Sequence, residues 1–155
     1  MQRRELVLGS FAALAATALP ARGAAESPLI YISPMKSDGG LSRCQAEVWF
    51  ALHGGDYYVV TAADAWRARA IERGLSAAQI WVGDVGQWRW ANGRHRSLPR
   101  LRASGSMIDD PALVEVVLQR LGEKYADEWG TWGPRFRNGL ASGQRVMLRY
   151  RHMEV

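Results

Sequence analysis

Residues 45–61, Gln45-Ala46-Glu47-Val48-Trp49-Phe50-Ala51-Leu52-His53-Gly54-Gly55-Asp56-Tyr57-Tyr58-Val59-Val60-Thr61, decide how this chain folds. Ala46, Val48, Phe50 and Leu52 alternate with Gln45, Glu47, Trp49 and Ala51, the period of two that gives a strand one apolar face. Gly54, Gly55 and Asp56 supply a tight turn, because glycine reaches positive φ without a Cβ clash. Tyr57 to Thr61 is rich in strand formers. The spacing predicts an antiparallel hairpin whose first arm, residues 45–52, is one unbroken strand.

Working outward, Leu29 to Ser33 reads as a preceding strand, joined through the turn Lys36-Ser37-Asp38-Gly39-Gly40, so the chain begins as a β-meander. Downstream, Asp64 is placed to cap a short helix from Ala65 to Arg73, and Gly74 suits its left-handed C-terminal position. A strand at Ala78 to Val82 follows. Trp88 and Trp90 alternate with Gln87 and Arg89 ahead of Asn92-Gly93, which predicts a second two-residue hairpin returning through Arg94 to Leu98. Another strand runs from Leu101 to Met107. Asp110-Pro111 is a cap and first-turn pair, and Leu113, Val117, Leu121 and Tyr125 recur at helical spacing to an end near Asp127. Arg145 to Tyr150 is the last strand. Five to seven strands with two helices in this order predict an α+β fold, a small antiparallel barrel with helices packed outside it.

The N-terminus carries the pair Arg3-Arg4, then an apolar run from Leu6 to Leu19, then small residues at Ala21-Arg22-Gly23 and Gly23-Ala24-Ala25. These are the three parts of an export signal, and the arginine pair gives it the pattern of the twin-arginine route, whose cargo crosses already folded. The apolar run is shorter than the roughly 20 residues that a bilayer-spanning helix needs. Residues 1–25 are therefore read as a signal peptide and 26–155 as one domain, with no stable membrane anchor after cleavage and an exported, periplasmic location.

Beyond residue 25 there are 17 basic and 14 acidic residues, a net charge of +3. That is too mild to argue for nucleic acid, although Arg94, His95, Arg96, Arg100 and Arg102 crowd one stretch. The cluster reads first as a solvated face and second as a contact for an anionic small molecule. Cys44 is the only cysteine, so no intramolecular disulfide forms and the fold rests on packing. His53, His95 and His152 fall in no metal-ligand spacing. No nucleophile elbow, phosphate-binding P-loop or dinucleotide fingerprint is present.

One stretch retains chemical interest. In Val59-Val60-Thr61-Ala62-Ala63-Asp64-Ala65-Trp66-Arg67-Ala68-Arg69 a strand ends in a hydroxyl residue and a helix opens with arginines. Free amides at a helix start, its dipole and a nearby guanidinium together favour a phosphate. The same pattern describes an amphipathic helix with Arg67, Arg69 and Arg73 on its wet side and Trp66, Ala70 and Ile71 turned inward. Residue physics alone favours this second reading.

Several short patterns resemble one family. Tyr31-Ile32-Ser33, Asp38-Gly39, Glu47-Val48-Trp49-Phe50, Tyr57-Tyr58-Val59-Val60-Thr61 and Trp66-Arg67-Ala68-Arg69 are similar to the FMN-binding split-barrel superfamily, which includes pyridoxamine-phosphate-oxidase-like proteins and deazaflavin-dependent reductases. Gly122-Glu123-Lys124-Tyr125 is similar to a lysine-tyrosine pair in some relatives. The resemblance runs from Leu29 to Tyr150 and implies a split barrel, a homodimer, and FMN or the deazaflavin F420 as cofactor of an oxidoreductase. By resemblance, Val48, Trp49 and Phe50 flank the cofactor ring, Thr61 lies at its phosphate end, Arg67 pairs with the phosphate, Arg69 is a second basic candidate, and Trp66 shields the site.

Ala62, Ala63 and Ala65 stand where relatives often carry serine, glycine or lysine. That departure favours an alternative, a non-enzymatic split barrel that binds haem or another pigment or serves as an interaction module. Trp81, Trp88, Trp90, Trp129 and Trp132 are available for an apolar cleft or a dimer surface. A last reading, a small β-rich periplasmic binding protein, applies if the strands between Leu29 and Thr61 do not pair consecutively. No spacing singles out a catalytic acid or base among His53, Tyr57 and Tyr58.

Overall fold

The computed structural model describes residues 21–154, so most of the expected signal peptide, residues 1–20, lies outside the described residues. Among the described residues one antiparallel sheet contains seven strands: β1 (Ile30–Pro34), β2 (Ala46–Val48), β3 (Ala51–His53), β4 (Asp56–Ala62), β5 (Ala77–Val82), β6 (Arg100–Ile108) and β7 (Arg145–His152). Their order across the sheet is β2-β1-β5-β6-β7-β4-β3. The helices are α1 (Ala21–Glu26), α2 (Trp66–Glu72), α3 (Pro111–Lys124) and α4 (Ala126–Ser142), with a 3-10 turn at Arg94–Ser97.

The strand order forces the sheet to curl. β2 and β3 are its two edges, yet only Trp49 and Phe50 separate them in sequence. Seven strands laid flat would hold those edges about 29 Å apart, six spacings of about 4.8 Å. Three residue steps span at most about 11 Å. The edges are therefore drawn together, and the sheet closes on itself as a split barrel.

This is where the sequence expectation for residues 45–52 is corrected. They do not form one strand. Val48 pairs with Ile30 in β1, whereas Ala51 pairs with Tyr58 in β4. The alternation of side chains persists through the break, so periodicity alone could not register it. The expected opening meander is likewise divided, since β1 and β2 pair, β3 and β4 pair, and β2 does not pair with β3. The hairpin across Gly54-Gly55 forms as the sequence predicts, with His53 opposite Asp56.

Side chains from all seven strands meet in the barrel interior, where Ile30, Ile32, Phe50, Tyr57, Val59, Ile80, Leu148 and Tyr150 are buried with Val48, Leu52 and Leu101 against them. α2 adds Ala68 and Ile71 to this cluster, and Ala24 of α1 joins it. The outer face of β3, β4, β7 and the end of β6 is covered by α3 and α4, which pack Val117, Leu118, Leu121 and Phe136 against Ala51, Tyr58, Val60 and Met147.

Three further expectations are corrected. Asp64 is not the cap of α2. Ala65 occupies that position in extended backbone, because the turn closed by Ala65 N–H to Ala62 C=O takes up Asp64, and its methyl has no polar atom to cap the helix. Gly74 does close the helix at φ +82°. The predicted helix ending near Asp127 is two helices broken at Tyr125, and the second, α4, brings the α-helices among the described residues to four, not two. Asp110 caps α3 as expected, its carboxylate accepting from Ala112 N–H at 3.2 Å.

α4 contains Gly130, Gly133, Pro134 and Gly139, a composition poor in helix formers. Packing against Trp129 explains Gly133, together with Gly122 of α3. A Cβ on Gly122 of α3 or Gly133 of α4 would lie 2.7 or 2.8 Å from the Trp129 indole nitrogen, so the glycines form the bed in which that ring lies between the helices.

The second predicted hairpin is absent. Asn92 and Gly93 do take positive φ, 49° and 79°, but residues 87–98 form turns and the 3-10 turn in place of strands. Tertiary contacts override local preference. The Trp88 N–H donates to Glu47 Oε2, the Tyr31 hydroxyl donates to Gly86 C=O and accepts from Val85 N–H, and buried His95 stacks on Tyr31 while its Nε2 meets Gln45 Oε1 at 2.9 Å. The segment is thereby fastened over β1, β2 and β5.

Candidate functional site

Two places gather the residues that the sequence singles out. At the end of β4, Arg67 Nη1 donates to Thr61 Oγ1 at 3.2 Å. Thr61 is buried and follows Tyr57 and Val59 on the inward face of its strand. Arg67, in the first turn of α2, is half-buried and turned back onto the strand, whereas Arg69 two positions on is exposed. That opposition is geometric, since residues two apart on a helix face different ways. Trp66 is half-buried with the Arg73 guanidinium 5.4 Å from its ring centre. Of the three arginines in and after α2, Arg67 therefore leaves the wet face and the other two remain on it.

The interior beside this pair is polar in one respect. The Tyr150 hydroxyl is buried without a hydrogen-bond partner among the described residues. Burial raises its pKa, a shift that the Arg67 charge partly opposes.

The second place is the connection between the sheet edges. Phe50 is fully buried, its N–H donates to the Tyr125 hydroxyl at 3.1 Å, and that hydroxyl in turn donates to Pro28 C=O at 2.9 Å. Burial pushes the Tyr125 pKa up to about 12. The Tyr125 ring stacks on Trp49 at 4.3 Å and 5°. Lys124 Nζ lies 3.4 Å from the centre of the Phe50 ring with no hydrogen-bond partner among the described residues, and burial pulls its pKa down to about 8.

The residues expected to flank a ring are thus divided by the barrel wall. Val48 and Phe50 pack inward with the interior cluster, and Trp49 packs outward with Tyr125, Trp132 and Phe136. Phe50 is fully buried, with its N–H held by the Tyr125 hydroxyl, so Trp49 is the flanking residue with surface toward the outer layer. Thr61 and Arg67 are brought together. No group of three or more metal-ligating side chains occurs among the described residues, and no helix among them is long and apolar enough to cross a membrane.

Resemblance alone pointed to Lys124, whereas Tyr125 was also the last of the helically spaced positions after Leu113, Val117 and Leu121. Their burial against Phe50 comes from the break between α3 and α4. Arg135 carried no signal because α4 was not foreseen, and Arg145, read as the start of the last strand, is placed near Trp132 only by that helix.

The curled seven-stranded sheet with its outer helices defines the split-barrel class. Among solved structures the chain is similar to the haem storage protein HutZ of Vibrio cholerae, with a TM-score of 0.61 and 15% identity over 87% of this chain and 88% of that one. It is similar to a pyridoxamine 5'-phosphate-oxidase-like protein of Listeria innocua, with a TM-score of 0.56 and 10% identity over 86% and 90%. An F420 reductase matches with a TM-score of 0.50 and 19% identity over 86% and 93%. These identities establish a common fold. No family model matches the sequence, and no curated protein matches it.

Proposed function

We propose that this protein is an exported, homodimeric split-barrel oxidoreductase that binds FMN or a deazaflavin. The observation that carries the reading is the Arg67 guanidinium, folded onto Thr61 at the end of β4 and in no ion pair among the described residues. A half-buried arginine turned onto a strand end without a countercharge is suited to an incoming phosphate. Trp49 offers an aromatic surface for the ring. The bound cofactor would supply hydride or electron chemistry, and this chain's residues would position it and exclude water. Similarity to an F420 reductase and to a pyridoxamine 5'-phosphate-oxidase-like protein supports the class of chemistry.

A visible absorbance spectrum of the purified protein, before and after incubation with FMN and with the deazaflavin, tests the reading. Saturable uptake is expected, and Arg67→Ala should weaken it by about 1–3 kcal/mol as a lost charged hydrogen bond. A protein that is colourless and takes up neither compound overturns the proposal.

A haem-binding reading is favoured by one specific observation. Ala62, Ala63 and Ala65 leave the turn into α2 without side-chain donors, and the α2 cap makes no side-chain bond. Similarity to HutZ points the same way. A Soret band on addition of haem, with no flavin uptake, would decide for it. Export rests on the Arg3-Arg4 pattern, and Arg3→Lys with Arg4→Lys should retain the protein in the cytoplasm on cell fractionation.

A further inference from the structure

The segment from Gly86 to Arg102 lies on the outer face of the barrel, on the side that α3 and α4 leave uncovered. It carries Arg89, Arg94, Arg96, Arg100 and Arg102, and no acidic residue occurs from Val85 to Ile108. All five arginines are exposed, and none enters an ion pair among the described residues. Arg100 and Arg102 stand on β6 opposite Trp81 and Gln79, and they point outward because Leu101 and Ala103 pack into the interior. The acids at the rim are Glu47, whose Oε2 accepts from Trp88 N–H, Asp84, whose Oδ1 accepts from Gly86 N–H, and Glu154 past the end of β7. The face is left basic.

The same segment holds Trp90 toward solvent. At 76% exposure it is the most exposed large apolar side chain among the described residues. Its one polar atom, Nε1, donates to Gln87 Oε1 at 3.1 Å, so the ring offers carbon to its surroundings. Backbone turns fix it there: Trp90 N–H donates to Gln87 C=O, Ala91 N–H to Trp88 C=O and Arg94 N–H to Ala91 C=O, with Ala91 fully buried. Trp88 N–H is tied to Glu47, and His95 is buried against Tyr31 and Trp81. The display is therefore preset, and a partner that engages it has little loop to order.

Its layout selects the partner. The arginines are spread over a loop and a strand instead of gathering round one point, which suits an extended anionic surface better than a single small anion. A second copy presenting the same face across a two-fold axis would set arginines against arginines. Single-stranded nucleic acid stacks successive bases on several aromatic rings, and here Trp90 alone stands clear. A bilayer of anionic phospholipid satisfies both features. Guanidinium groups meet the headgroup phosphates, and an indole whose N–H is already paired enters the boundary between headgroups and acyl chains, where tryptophan concentrates.

We propose that residues 86–102 form a docking surface for anionic phospholipid bilayers, with Trp90 inserted and the five arginines on the headgroups. The protein sits on the membrane and does not span it. This surface stands independently of the cofactor reading, and export decides only which side of the membrane it meets.

The test is co-sedimentation of the purified protein with vesicles of phosphatidylglycerol and phosphatidylcholine, and with vesicles of phosphatidylcholine alone. Leu6 to Leu19 is common to every variant, so differences between variants report the patch. Wild type is expected to prefer the anionic vesicles and to lose affinity as salt rises above about 0.1 M. Arg89→Gln with Arg96→Gln should weaken binding about 25-fold, at about fivefold per arginine. Arg120→Gln with Arg135→Gln removes the same charge from α3 and α4 and should stay within about threefold of wild type. Brominated phosphatidylglycerol should quench tryptophan fluorescence in wild type, and Trp90→Phe should lose most of that quenching while its thermal melt matches wild type. Equal affinity for the two kinds of vesicle, equal loss in the two double variants, or quenching that survives Trp90→Phe refutes the surface. So does a single-stranded oligonucleotide that binds through Arg89 and Arg96 while vesicles do not, a result that assigns the patch to nucleic acid. None of these readouts involves flavin or haem uptake, so failure here leaves the proposed function standing, and failure of cofactor uptake leaves this surface standing.

Discussion

Replacing Tyr125 with phenylalanine removes one oxygen from the point where the two edges of the sheet meet. That oxygen accepts from Phe50 N–H and donates to Pro28 C=O. Phe50 is fully buried, so its N–H would be left without a partner and without access to water. A stranded buried donor costs about 1–3 kcal/mol, and the Pro28 carbonyl, at an exposed residue, regains a water. The stack on Trp49 at 4.3 Å survives in phenylalanine, so ring packing adds little. The expected destabilisation is therefore about 2 kcal/mol.

For a domain of this size that is a fall in Tm of roughly 6–10 °C, or about 1 M in the urea midpoint at unchanged slope. Equilibrium unfolding followed by tryptophan fluorescence measures it. Tyr57→Phe is the control, because the Tyr57 hydroxyl makes no hydrogen bond among the described residues, and its effect should stay within about 0.5 kcal/mol. Equal midpoints for wild type and Tyr125→Phe would refute the idea that this hydroxyl holds the edge connection. A changed slope would instead point to an altered unfolded or native state.

Three further outcomes follow from buried groups. Lys124 is held near pKa 8, so between about pH 8 and its unfolded value near 10.4 the unfolded chain binds the extra proton and stability rises with pH. Above about pH 10 the trend reverses, because buried Tyr31, Tyr57, Tyr125 and Tyr150 keep protons that the unfolded chain releases. Lys124→Met should flatten the rising limb in urea titrations across that range, and an unchanged limb would assign it elsewhere. His95 is the opposite limit: burial, with a smaller contribution from Arg96, lowers its pKa, so stability falls as pH drops below about 6.5, where the unfolded histidine gains its proton. Amide exchange should then quicken in residues 83–99 before it quickens in α3 and α4. Finally, Gly133→Ala places a methyl against the Trp129 indole, and overpacking of about 1–3 kcal/mol should lower the Tm, whereas Gly130→Ala, which meets nothing within 4 Å, should raise it slightly.

The locally encoded elements were legible in the sequence. The Gly54-Gly55 hairpin, the left-handed Gly74, the Asp110-Pro111 start of α3 and the strands at β1, β5, β6 and β7 each depend on residues within a few positions of one another. So did the split between Arg67 and Arg69, which helical geometry sets. These add up to an α+β antiparallel fold. Whether Arg67 faced water or the strand end was left open by the sequence, since both faces of a short helix can carry an arginine.

Only the tertiary structure decided the rest. It broke residues 45–53 between two distant strands, because the pairing energy lies in β1 and β4, neither of which the local alternation can sense. It folded residues 87–98 against Tyr31, Gln45 and Glu47, which lie more than forty positions earlier, and so overrode the Asn92-Gly93 turn. It made a helix from the glycine-rich α4, because Trp129 and Arg145 need glycines where they pack, and a propensity sum cannot represent that need. The burial of Lys124 follows from that helix. Short-range order in this protein is written residue by residue, whereas the closure of its barrel and the placement of its charges arise from contacts between segments that only packing brings together.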